Sequence, residues 1–279
     1  MQYKPLKNSE HQPNDLCFAG LTRESLVFSS YPETTGSNSK PTTNHPITDK
    51  DGDGLDGPVP STILDYSARH DLWLWSWPSL EAQCAAIADD IAYDNHDLDD
   101  ALRAGLISLD DLADLPICGA VLREISEEHP NLPSSRIGHE LVRRQITAMV
   151  EDVITEASAR IDSAKPETSD DVRNLDYALV AFSPAMEANE KVLKAFLFEK
   201  VYRSKSVMQP VRSAERIVAD LFDRFMDDER AMPDHEDWSV TGLQPAERAT
   251  VVCDYIAGMT DRYAVSEHRR LFDRTPDLG

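Results

Sequence analysis

Cationic side chains are scarce. Against 50 Asp and Glu there are only 28 Lys and Arg in 279 residues, a formal net charge of −22 at pH 7 with neutral histidines. A surface for duplex nucleic acid or anionic membrane needs the opposite balance, so bulk binding to either is excluded. A polyanionic substrate would need a local cationic site or a divalent metal. No apolar run approaches the roughly 18–20 residues of a membrane span. Met1 to Ser9 lacks the apolar stretch of a signal peptide, and a cytoplasmic protein is expected. Only four cysteines occur, Cys17, Cys84, Cys118 and Cys253. They are far apart with no C-x-x-C, which argues against a zinc site or a disulfide frame and for reduced thiols. Eleven glycines and seventeen prolines exclude collagen-like or linker-dominated architectures.

What is present is a hydrophobic content of 41%, enough for a buried core. Residues 1–61 are polar and rich in Pro, Ser, Thr, Asn and Gly, and are expected to be an irregular, largely disordered segment. Residues 62–279 form the expected folded part. From Ser79 onward the apolar pattern is helical. Leu141, Ile146, Met149, Val153 and Ile154 recur at helical spacing within Ser134 to Ala164, and Lys191–Tyr202, Ala214–Met226 and Pro245–Tyr263 behave alike. Strand-like alternation is confined to two weak candidates, Ser61–Tyr66 and Leu72–Trp77. The fold class expected is all-α.

Ser79 to Leu106 carries the most information. Wound at about 100° per residue, Leu80, Cys84, Ile87, Ile91, Leu98 and Leu102 fall within one arc, the expected core face. Asp89, Tyr93, His96, Asp97 and Asp100 gather on the opposite side. Ser79 is placed to cap the start, and Gly105 lies near the end. A solvated acidic face accounts for this stripe as readily as a site does. A carboxylate there can ligate a metal, Tyr93 can stack or hydrogen-bond, and Asp97 can accept from a hydroxyl.

The runs Ser79-Leu80-Glu81-Ala82-Gln83, Ala88-Asp89-Asp90-Ile91-Ala92-Tyr93, His96-Asp97, Asp99-Asp100 and Leu102-Arg103-Ala104-Gly105-Leu106 resemble the bacterial deoxyguanosinetriphosphate triphosphohydrolase-like proteins, of the HD-domain phosphohydrolases. Cys253 to Ala264 and Glu267-His268-Arg269-Arg270-Leu271 resemble the same family, as do Leu179 to Ser183 and Leu193 to Phe198. The resemblance covers roughly Ile63 to Phe272. It implies an all-α, HD-domain-like helical bundle that cuts a deoxynucleoside triphosphate into deoxynucleoside and triphosphate, using a divalent metal, Mg or Mn. By motif position it makes Asp89 the last metal ligand. Tyr93 and Asp97 match positions near the nucleotide sugar, and Lys194 and Tyr202 match a phosphate contact and an aromatic. It also implies homo-oligomers. The remaining ligands, a His and a His-Asp pair, belong upstream of Gly20 to Leu26, which resembles the stretch following them. Fewer residues precede Ile63 than those helices need, so the chain is expected to lack much of the N-terminal half and to be inactive alone. The rival expectation is a non-catalytic binding subunit of full-length relatives.

Other features have blander readings. His70-Asp71 and His96-Asp97 are unsuited to replace the signature pair. Asp49-Lys50-Asp51-Gly52-Asp53-Gly54 opens like a calcium loop, but the twelfth position is Pro60, so a turn is expected. Trp73, Trp75 and Trp77 alternate and suit a docking edge. Arg143 and Arg144 are expected to be surface charges near Glu140.

Overall fold

A computed structural model describes residues 45–48, 50, 54–55, 59–233 and 238–276. Most of the N-terminal segment and most of the Asp49–Gly54 loop lie outside them. Among the described residues ten α-helices follow in order: α1 (Ser61–Arg69), α2 (Leu80–Arg103), α3 (Leu109–Leu112), α4 (Pro116–Glu128), α5 (Ser134–Ala164), α6 (Ser169–Arg173), α7 (Pro184–Leu197), α8 (Lys205–Asp227), α9 (Pro245–Ala257) and α10 (Asp261–Leu271). A π turn, Phe198–Tyr202, prolongs α7, and a 3-10 turn, Glu229–Ala231, follows α8. The all-α expectation is borne out: the sole β feature among the described residues is an isolated bridge between Thr48 and Gly54. Ser61–Tyr66, weighed as a strand, is helical, and Leu72–Trp77 is irregular. No helix among the described residues is long and apolar enough to cross a membrane.

The chain divides into two compact units, at residues 56/57, 73/74 and 209/210. In the unit built mainly from residues 74–209, α2 packs along α5, α4 against α5, and α7 against α2. One core cluster gathers Leu98, Ala101, Leu112, Ile125, Leu141, Leu193, Leu197 and Val201. A second joins Ile87 and Ile91 of α2 to Met149, Val153 and Ala157 of α5 and to Val180 and Phe182. Gly119 lets α4 approach the preceding turn: a Cβ there would lie 2.1 Å from the Ala113 carbonyl oxygen. In the other unit, Ile217, Leu221, Phe222 and Phe225 of α8 meet Val252, Tyr255 and Ile256 of α9.

Local chemistry sets the helix ends. The Ala82 amide donates to Ser79 Oγ at the start of α2. After α2, Gly105 takes φ +68°, and the Leu106 amide reaches back to Ala101 O at 3.0 Å, a left-handed glycine stop. Helix α5 stops where Lys165, just before Pro166, adopts φ 48°. Pro245–Tyr263 is not one helix, because Thr260 Oγ accepts from the Tyr263 amide and starts α10 afresh.

The buried face of α2 is broader than its apolar arc. Gln83, Ile87, Ile91, Asp94, Asn95, Leu98 and Ala101 are buried. Cys84, expected among the core residues, is exposed. Among the polar members, Asn95 donates through Nδ2 to Ile91 O at 2.8 Å and contacts Met149 Sδ.

Candidate functional site

Asp89, Tyr93 and Asp97 are spaced four residues apart on α2, so they climb one face at about 6 Å per step. Asp89 is exposed, Tyr93 is 44% exposed and Asp97 is half-buried. The π turn brings in Tyr202, whose hydroxyl donates to Asp97 Oδ2 across a sequence separation of 105. Burial, with hydrogen bonds to Asp97 and Tyr93, raises the pKa of the Tyr202 phenol. The three side chains thus form one hydrogen-bonded group that joins α2 to the end of α7.

Lys194 faces α2 from α7. Its Nζ is hydrogen-bonded to Glu190 one turn back and lies 3.9 Å from both Asp90 Oδ1 and Asp94 Oδ2. Burial works against its charge, but Glu190, Asp94 and Asp90 more than offset this and raise its pKa. Asp94 is 2% exposed, and its Oδ2 accepts no hydrogen bond. Burial pushes its pKa up to about 7, with Glu190, Asp90 and Asp97 adding to the effect and Lys194 opposing it. Neither Asp94 nor Glu190 was singled out from sequence. A signal existed for Asp94, which lies at the edge of the apolar arc of α2, beside Ile87. An acid bordering a hydrophobic stripe needs a partner elsewhere in the fold.

A divalent metal would find Asp89 exposed on α2, but no group of three or more His, Cys, Asp or Glu side chains among the described residues is arranged to hold an ion. These residues by themselves do not fit a metal. His96 and His70 are both exposed, and the His70 ring lies 5.1 Å from that of Tyr66.

The segment before α7 is held by three side chains. Gln83 Oε1 accepts from the Leu179 and Val180 amides, Arg160 donates to Ala178 O and Phe182 O, and Asp152 accepts from the Ser183 amide and hydroxyl. Arg143 and Arg144 both donate to Glu140, and Arg144 also pairs with Glu128. Hydrogen bonds from both arginines hold the Glu140 pKa down to about 2. A surface groove bounded by Asp99, Leu102, Gly119, Leu122 and His139 is separate from this site. Asp99 and Leu102 leave α2 on a flank roughly opposite Asp97.

The described residues form an all-α protein, and residues 180–270 match the phosphohydrolase-associated domain family. The similarity to individual proteins reaches further along the chain. It is 57% identical over 224 residues to a deoxyguanosinetriphosphate triphosphohydrolase-like protein of Brucella ovis, covering 80% of this chain and 56% of the relative. The protein of that name from Rhizobium meliloti is 49% identical over 237 residues, 84% of this chain and 58% of the relative. A deoxyguanosinetriphosphate triphosphohydrolase-like protein 1 of Mesorhizobium japonicum is 53% identical over 239 residues, 85% of this chain and 58% of the relative. The chain belongs to this deoxyguanosinetriphosphate triphosphohydrolase-like family, and it spans a little over half the length of these relatives.

Proposed function

We propose that the chain supplies the nucleotide-facing wall of a deoxynucleoside triphosphate triphosphohydrolase site, cutting dNTP into deoxynucleoside and triphosphate. The observation that carries this reading is the Tyr93–Tyr202–Asp97 group together with the cation Lys194. Tyr202 gives its hydroxyl hydrogen to Asp97 Oδ2, which leaves Oδ1 to accept from a sugar hydroxyl. Tyr93, half out in solvent, offers a ring face to the nucleoside. Lys194, with its side chain 42% exposed, is the cation for the phosphates. A divalent ion, Mg or Mn, would screen phosphate charge when bound. Asp89 is our candidate for one of its ligands, and the others come from outside the described residues.

On this reading the chain alone turns over little or no dNTP. Its partner is a second copy or a full-length relative, and the cytoplasm, where dNTPs are found, is its compartment. The test is release of triphosphate from mixed dNTPs with Mn or Mg, by the chain alone and mixed with a full-length relative, together with equilibrium dNTP binding. We expect silence from the chain alone, dNTP binding that Lys194→Met weakens by about tenfold or more, and a change in the relative's turnover on mixing. Turnover by the chain alone that Asp89→Ala abolishes would show that the metal site is complete within it. Absence of dNTP binding would sink the nucleotide reading and leave the non-catalytic subunit.

A further inference from the structure

Three carboxylates, Asp90, Asp94 and Glu190, surround one ammonium. Fully ionised, the cluster carries two net negative charges at the point where the proposed function places a polyphosphate. Asp90 is half-buried, and Glu190 already holds the ammonium by a hydrogen bond. Asp94 is enclosed, as Glu190 is, but it differs from both in that one of its oxygens lacks a donor. A buried carboxylate oxygen without a donor is costly when charged and satisfied by a proton of its own.

We propose that Asp94 is a positioning residue for Lys194 that takes up a proton from solvent as a polyphosphate binds. In the ligand-free protein the ionised carboxyl helps hold the ammonium against α2. When an anion arrives, the proton goes onto the Asp94 carboxyl, its pull on Nζ is lost, and Lys194 is free to turn to the phosphate. The inference rests on the reading of Lys194 as the phosphate contact. Four charged groups act on Asp94. Lys194 and Glu190 come from α7, and Asp90 and Asp97 from its own helix. The α5 side chains clustered with this part of α2, Met149, Val153 and Ala157, do not titrate. His96 is exposed on another face of α2. The raised pKa of Asp94 supports the inference without carrying it.

Two measurements on the full chain test this. The first needs no ligand: the Lys194 side-chain NMR signal, followed from about pH 5 to 9, moves through a transition near neutrality in the wild type and not in Asp94→Asn. No transition in the wild-type protein overturns the inference, whatever the variant does. The second is calorimetry with inorganic tripolyphosphate and magnesium in buffers of different ionisation enthalpy. The wild type takes up protons on binding at about pH 8, Asp94→Asn takes up fewer, and the affinity ratio of variant to wild type rises by about tenfold between pH 6 and 8. Lys194→Met separates the two layers. If it binds tripolyphosphate as tightly as wild type, the functional reading fails and the inference with it. If it loses binding while wild type and Asp94→Asn take up the same number of protons, the inference alone fails.

Discussion

A single side-chain oxygen, Oε1 of Gln83, accepts hydrogen bonds from the amides of both Leu179 (2.9 Å) and Val180 (3.0 Å). The Gln83 amide nitrogen donates to Pro78 O at 2.9 Å, so the start of α2 is tied to the segment that leads into α7. That segment positions α7, and α7 carries Lys194 and, through its π turn, Tyr202. The glutamine is fully buried, which raises the stakes of each bond.

Gln83→Met keeps the volume and removes the acceptor. It should destabilise the protein by about 2–4 kcal/mol, because two buried amides lose their partner. Urea denaturation monitored by tryptophan fluorescence reads the change. A loss below about 0.5 kcal/mol would mean that water or another group takes over the role.

Asp94 makes stability depend on pH in the direction opposite to most carboxylates. Its folded pKa, about 7, lies above the ordinary value of 3.8, so between those values the folded chain holds a proton that the unfolded chain releases. Stability is therefore greatest below the lower value and falls as pH rises through the window. Asp94→Asn removes this dependence. Its stability relative to wild type should grow by on the order of 2–3 kcal/mol between about pH 5 and 8. Parallel stability curves for the two proteins would contradict the assignment.

The three cysteines among the described residues should differ in reactivity. Cys84 is exposed, whereas burial pushes the Cys118 thiol up to about 12 and raises that of Cys253. Cys118 also donates to Gln145 Oε1 at 3.1 Å. Iodoacetamide under native conditions, followed by peptide mass mapping, should label Cys84 first and Cys118 only on unfolding. Labelling of Cys118 at the rate of Cys84 would mean that α4 does not pack against α5 through the Cys118–Gln145 contact.

Much of α2 was legible in advance because its information is local. A period of 3.6 residues places Asp89, Tyr93 and Asp97 on one face, Ser79 caps the start, and Gly105 supplies the left-handed stop. The same periodicity put Cys84 and Leu102 on the core face. How far burial extends around a helix, though, depends on what packs against it: the segment before α7 covers Gln83, and α7 brings Lys194 to Asp94, while Cys84 is exposed. The break between α9 and α10 was also local, in the Gly258-Met259-Thr260 run, but apolar spacing on both sides disguised it. Helix α4 is less legible, since the Ala113 carbonyl that its buried Gly119 accommodates comes close only in the folded chain.

The sequence alone determined the helical class, the family and the acidic stripe, because helix periodicity, capping and motif order act over a few neighbouring residues. Only the tertiary structure decided which partners the stripe acquires. Asp97 meets Tyr202 across 105 positions, and Asp94 is enclosed beside Lys194 from another helix. Charge, burial and hydrogen bonding at such points depend on distance in space, and a linear order of residues does not encode that distance until the helices pack.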